Sequence, residues 1–381
     1  MHLLLACDSF KGTLSSAQIA ALLSRALIRA GHTVTALKLA DGGDGTIEAV
    51  TSCGFSAHTA VVTGPLGTPV EATWARHEST AVIEMAQASG INLLDPTPET
   101  ALQATSFGTG ELITAALDAG CTTVILGVGG SATTDGGAGM LTALGARLLT
   151  ADGAPVPPGG AGLEQLKSVD LSGLDPRLTD LRLAFDVDNP LCGPRGAAAV
   201  YGPQKGAGPT EVARLDAALA RFAPRVEQAA GASAAERPGA GAAGGVGFAA
   251  LGVLGAQPVP GADYILDLIG FHAALDRADA VITGEGRIDE QTLSGKGPGA
   301  VLAAAGERGL ERIVVCGSAA VSASQLSELG AGSPPPPRVR LHQMTDLAPL
   351  DDCLAEPAAV LRRLAEQIAA ELPSPEAPQT R

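Results

Sequence analysis

Five times along the chain, a strand-like run stops at a carboxylate set among glycines and small hydroxyl residues. The segments are CDSFKGTLS at 7–15, ADGGDGT at 40–46, GVGGSATTDGGAG at 127–139, FDVDNPLCG at 185–193 and TGEGRIDEQTLSGKGP at 283–298. Short apolar runs bounded by such residues read as buried strands. In open parallel α/β sheets, ligands gather outside the carboxyl ends of the strands. The five segments are therefore expected to meet around one ligand, which commits the chain to an α/β fold.

The pattern between the segments supports this. His2–Cys7 reads as a strand. A helix follows, N-capped by Ser15 or Ser16, with Ile19, Leu22, Leu23 and Leu27 on one face and Gly31 as terminator. Thr33–Ala40 then completes a βαβ unit, which implies a parallel sheet with a right-handed crossover. Residues 59–84 change character: short β-prone pieces carrying Val61, Val70, Trp74 and Ile83, separated by turns, predict antiparallel or mixed sheet. Further strands are expected at Thr122–Leu126, Arg182–Phe185, Ala280–Thr283 and Arg312–Cys316. Helices are expected at Gly108–Ala119, around Gly137–Arg147 and near Glu356–Leu372. Residues 231–247 read as loop.

At 381 residues the chain exceeds what one hydrophobic core usually fills. Two α/β domains are expected: residues 1–58 plus 275–381 as a discontinuous, doubly wound parallel domain, and 59–274 as a second domain with a mixed sheet, with the active site in the cleft between them.

Charge and cysteine usage narrow the function. The formal net charge is −15 and only 3% of residues are aromatic, which argues against nucleic-acid and anionic-membrane partners. An anionic substrate would need basic groups and backbone N–H groups aimed at it locally. Six scattered cysteines without CxxC spacing fit reduced thiols, and with no signal-like start or 18-residue apolar run, a cytoplasmic protein is expected. A homo-oligomer is left open.

The chemistry shared by the five segments is phosphoryl transfer. Glycines let backbone N–H groups approach phosphate oxygens, carboxylates hold Mg²⁺, a lysine or arginine stabilises the transferring group, and one carboxylate accepts a hydroxyl proton. An isolated Asp-Gly is an ordinary turn; the functional reading rests on repetition at five strand ends. The P-loop pattern is absent, since Gly295-Lys296 is followed by Gly297. Gly127-Val-Gly129-Gly-Ser-Ala132 does match the dinucleotide fingerprint G-x-G-x-x-A, so an NAD-dependent hydroxy-acid dehydrogenase stands as one alternative and a non-catalytic small-anion-binding protein as another.

Taken in order, DSFKGTLS (8–15), ADGGDGT (40–46), TSFGTGELI (105–113), GVGGSATTDGGAGM (127–140), FDVDNPLCGP (185–194), VYGPQKGA (200–207) and ITGEGRIDEQTLSGKGP (282–298) resemble the bacterial glycerate kinase family of the glycerate 2-kinase type. The resemblance runs from Met1 to about residue 372 and implies ATP and Mg²⁺ acting on glycerate, with one domain flavodoxin- or Rossmann-like. Roles follow as expectations. Asp8 or Asp186 deprotonates the hydroxyl, and Lys11 reaches the phosphates. Arg287 or Lys296, with Ser9, holds glycerate. Gly42, Gly43, Gly129, Gly130, Ser131, Thr133 and Thr134 cradle the nucleotide at a helix N-terminus. Asp41, Asp44, Asp135 and Glu285 are the candidate metal ligands. The segment after Cys316 departs from the family pattern.

Overall fold

The computed structural model describes residues 1–10, 12–40, 42–43, 45–293, 297–331 and 336–373. Lys11, Asp41, Asp44 and Lys296 thus lie outside the described residues. The chain divides into two compact units, residues 1–40 with 266–381, and residues 41–265.

The first unit is built on a five-stranded sheet, all parallel, in the order Arg340–Gln343, Glu311–Cys316, Ala280–Gly284, His2–Cys7, Thr33–Lys38. Numbered along the chain this is 5-4-3-1-2, the flavodoxin-like doubly wound order, with its switch point between the first and third strands. The inner strands read as unbroken apolar runs because both faces are covered: Leu3, Leu4, Leu5, Ile313, Val314 and Val315 are fully buried or nearly so. The first helix, Ser16–Arg29, opens on a capping box. Ser15 Oγ accepts from Gln18 N at 3.3 Å, and Gln18 Oε1 accepts from Ser15 N at 2.9 Å. Its buried face, Ile19, Leu23, Ala26 and Leu27, packs against Leu361, Leu364 and Ile368 of the closing helix Pro357–Glu371. The divergent segment after Cys316 supplies the edge strand Arg340–Gln343.

The second unit carries a six-stranded sheet in the order Gln257–Pro260, Asp180–Phe185, Thr123–Gly127, Thr80–Glu84, Pro69–His77, Ser56–Thr63. The first four strands run parallel and the last two join antiparallel, the mixed sheet expected from residues 59–84. The first-unit boundary falls earlier than residue 58, because the helix Thr46–Thr51 packs on the strands Pro69–His77 and Thr80–Glu84. At the other end, residues 266–274 belong to the first unit. The helix expected around Gly137–Arg147 is short, Ala138–Ala143, and is followed by the strand Arg147–Leu149. Several helices go beyond those expected from the sequence, among them two in the second unit. Pro209–Ala230, 22 residues long, starts on a proline, ends at Gly231 in the left-handed conformation, and buries Leu215, Leu219, Phe222 and Val226. Val246–Gly252 occupies part of the glycine- and alanine-rich stretch read as loop. Among the described residues, no helix is long and apolar enough to cross a membrane.

Candidate active site

In the first unit, two of the five segments meet at the switch point. Cys7 and Gly284 are register partners, and the N–H of Asp8 donates to the Gly284 carbonyl at 2.8 Å. The pairing is reinforced by Thr283 Oγ1, which donates to the Ala6 carbonyl at 2.6 Å. Asp8 and Glu285 therefore leave adjacent strands side by side, both half-buried. Asp8 Oδ1 accepts from the N–H of Ser9 at 2.6 Å, and Glu285 Oε1 accepts from Thr292 Oγ1 at 2.6 Å. Arg287 follows on the short strand Arg287–Ile288, exposed to solvent. Cys7 below them is inert: burial, then the Asp8 charge, pushes its thiol up to about 12.

In the second unit, two glycine-bearing segments pack backbone on backbone. The N–H of Gly129 donates to the Gly42 carbonyl at 3.3 Å. A Cβ at Gly127 would stand 2.4 Å from the Gly42 oxygen, and one at Gly129 would stand 2.5 Å from the Gly43 Cα. Glycine is required at these positions by close approach. The third segment lies beside them, since a Cβ on Gly42 would touch Ala184 at the end of its strand. The loop after Gly127 is held by two backbone bonds, Ile91 N–H to the Gly130 carbonyl at 2.8 Å and Ala132 N–H to the Ser89 carbonyl at 2.9 Å. Gly130 between them is exposed with φ 69°, while Gly129 and Ser131 are half-buried. The backbone at Gly130 thus stands open to solvent, where an anion can approach it.

The second half of that loop has another role. Thr133, Thr134 and Asp135 are each at most 1% exposed. Thr133 Oγ1 donates to the Ala104 carbonyl at 2.8 Å. Asp135 Oδ2 accepts from the N–H of Ser106 (2.8 Å) and of Gly139 (3.1 Å), and Oδ1 from the N–H of Gly137 (3.0 Å), with the Ser106 and Thr105 hydroxyls completing the set. A carboxylate enclosed by that many donors is a scaffold hub, and the geometry does not match the metal-ligand role expected for Asp135. The Thr133 and Thr134 side chains are likewise sealed from solvent. The expected helix N-terminus is also displaced, since the helix begins only at Ala138. That displacement removes the strand–turn–helix context a dinucleotide fingerprint needs.

Asp186 is exposed at the end of its strand, beside an open groove of about 640 Å³ lined by residues 185–189 and 258–260. Its carboxylate accepts from the N–H groups of Gly261 (2.8 Å) and Ala262 (3.0 Å), at the start of the helix Gly261–Leu268. This caps a helix, and does not single Asp186 out as a base. Among the described residues, no three His, Cys, Asp or Glu side chains are arranged to hold a metal ion.

Two buried charged residues escaped the sequence reading. Glu84, fully buried at the end of Thr80–Glu84, accepts from the N–H of Ile47 at 3.2 Å and so supports the turn after Gly43. Lys205 is 1% exposed; its Nζ donates to the Thr133 carbonyl at 2.6 Å and to Ser131 Oγ at 3.0 Å. Burial pushes this amine down to about 7, against the opposing pull of the Asp135 carboxylate. The only signal in the sequence is a lysine inside the glycine-flanked run VYGPQKGA.

Known proteins resemble this chain along most of its length. The model of the glycerate kinase family matches residues 3–373. A glycerate kinase of Bacillus subtilis (strain 168) is 43% identical over 379 residues, 98% of each chain. The glycerate 2-kinase of Escherichia coli (strain K12) is 44% identical over 306 residues, covering 78% of this chain and 80% of that one. A crystal structure from Salmonella typhimurium LT2, provisionally named glycerate kinase 2, superposes with a TM-score of 0.80 at 41% identity and 97% coverage of both chains.

Proposed function

This chain belongs to the glycerate kinase family and is an enzyme that phosphorylates glycerate, and we propose that it uses ATP with Mg²⁺, giving 2-phosphoglycerate and ADP from D-glycerate. The observation that carries the nucleotide part is the contact of Gly42–Gly43 with Gly127–Gly129 at the carboxyl ends of the second unit's strands. With the Gly129 N–H turned to the Gly42 carbonyl, the close packing of these glycines leaves the N–H groups of Gly130 and Ser131 open to a polyphosphate.

Asp8 and Glu285 suit different tasks. Asp8, at the switch point, is our candidate to accept the glycerate hydroxyl proton, with Ser9 beside it. Arg287, an exposed guanidinium two residues beyond Glu285, is our candidate to clamp the substrate carboxylate in bidentate fashion. Of the acidic groups expected to hold Mg²⁺, Asp135 does not fit because its oxygens are filled by donors from the fold. Glu285 fits as a half-buried oxygen ligand at a strand end. The cation, when bound, supplies charge neutralisation on the transferring phosphoryl group. We place the enzyme in the cytoplasm, where its six cysteines, all free, stay reduced.

The test is ³¹P NMR of the product formed from ATP, Mg²⁺ and D-glycerate. A new phosphomonoester resonance matching 2-phosphoglycerate, with stoichiometric ADP, is expected. No product, or 3-phosphoglycerate alone, refutes the donor or the regiochemistry respectively.

A further inference from the structure

Two long cationic side chains are fully buried among the described residues, Arg312 and Lys205, and they differ in how their charge is satisfied. Arg312 spreads its guanidinium over four backbone carbonyls, those of Leu302, Ser327, Leu329 and Pro337, and ties their segments together. Lys205 donates to one hydroxyl and one carbonyl, Ser131 Oγ and the Thr133 carbonyl, and no carboxylate forms an ion pair with it among the described residues. Burying an ammonium with neutral partners is costly unless an opposite charge arrives. The two acceptors straddle Ala132, two residues beyond the exposed Gly130, so the charge stands directly behind the loop surface. Its own anchorage is firm. Gly206, next in the chain, sits so close to Thr97 that a Cβ there would stand 2.4 Å from the Thr97 nitrogen.

We propose that Lys205 is a positioning residue for phosphoryl transfer: it holds Ser131 and Thr133 so that the loop presents its N–H groups to the polyphosphate, and it places one positive charge behind that loop. The inference rests on reading Gly130 and Ser131 as the polyphosphate cradle. Its ligand class is a nucleoside polyphosphate, not the hydroxy acid. The lowered affinity of the amine for its proton fits a charge that becomes fully stabilised only when an anion binds. Asp135 is the charged neighbour whose field it feels, and that field favours the ammonium.

The test compares the parent enzyme with Lys205→Met, Lys205→Arg and Ser131→Ala, using Mg-ATP and D-glycerate. Losing two bonds to a charged group is expected to raise KM for ATP in Lys205→Met on the order of 10-fold to 100-fold, with KM for glycerate changed less than about 3-fold. Lys205→Arg should recover part of the loss. In the parent, kcat/KM for ATP should fall as pH rises through about 7, because the ammonium is the active form. That falling limb should be missing in Lys205→Arg, whose guanidinium stays charged. Unchanged ATP kinetics in Lys205→Met while Ser131→Ala impairs ATP use would overturn the role of Lys205 alone. Wild-type ATP kinetics in both would overturn the cradle reading as well. If Lys205→Met does not fold, the pH profiles decide: a falling limb that persists in Lys205→Arg overturns the proposal.

Discussion

Replacing Asp135 by asparagine separates a scaffold from a metal ligand. Both carboxylate oxygens accept backbone N–H groups: Oδ2 from Ser106 at 2.8 Å and Gly139 at 3.1 Å, and Oδ1 from Gly137 at 3.0 Å. An asparagine has one oxygen and one NH₂, so either orientation sets a donor against a donor. The cheaper one turns the NH₂ toward Gly137, leaving that single N–H without an acceptor in a fully buried site. A buried unsatisfied donor costs about 1–3 kcal/mol, and the bonds that remain lose their ionic partner. Together this is about 3 kcal/mol. For a unit the size of 41–265, the corresponding fall in Tm is roughly 6–12 °C. Thermal unfolding by circular dichroism, without nucleotide or magnesium, measures it. If Asp135→Asn instead keeps its Tm within about a degree and raises the Mg²⁺ concentration needed for activity many-fold, the side chain is a ligand and the scaffold argument is wrong.

Four other outcomes are expected. Gly129→Ala puts a Cβ 2.5 Å from the Gly43 Cα, about 1 Å inside normal carbon–carbon contact. A displacement of that size at the loop should lower kcat about 10²-fold in an ADP-release assay, and full activity would deny the loop a part in catalysis. Asp8→Asn should reduce kcat about 10²-fold or more at saturating substrates if Asp8 takes the proton, and near-normal turnover removes it from that role. Arg287→Ala should raise KM for glycerate far more than KM for ATP; the reverse pattern assigns the guanidinium to the nucleotide. Stability should also depend on Lys205. Its proton affinity is lowered from 10.5 to about 7 in the fold, so between those values the unfolded chain holds the extra proton and stability rises with pH. The slope is at most about 1.4 kcal/mol per pH unit. Urea titrations of the parent and Lys205→Met from pH 7 to 10 should differ by that rising component, and parallel curves would show that the lysine is not buried as described.

Strand ends were the legible part of this protein. A run such as His2–Cys7 is apolar because it is covered on both faces, and it stops where the polar segment DSFKGTLS begins; both facts are local and can be read from the residues. Burial of individual loop residues is not local. Ser131, Thr133, Thr134 and Asp135 are all small polar residues of one loop, yet only the last three are sealed, by contacts distant in the chain: Thr133 and Asp135 bond to residues 104–106, and Gly244 sits so close that a Cβ would stand 2.0 Å from the Thr133 carbonyl oxygen. Lys205 is the same case, since nothing in its neighbours announces that Ser131 and Thr133 will be its partners. The place of the helix Thr46–Thr51 in the second unit is hidden for the same reason, since the bond of Ile47 N–H to Glu84 joins positions 37 residues apart. The helix Pro209–Ala230 does carry local signals, a leading proline and a trailing glycine.

A crystal structure of the full chain with Mg²⁺ and a non-hydrolysable ATP analogue tests the central claim most directly. Phosphate oxygens should lie within hydrogen-bond distance of the N–H groups of Gly130 or Ser131, with Lys205 behind them. Density for the triphosphate at any other place, with that loop bare, would contradict it.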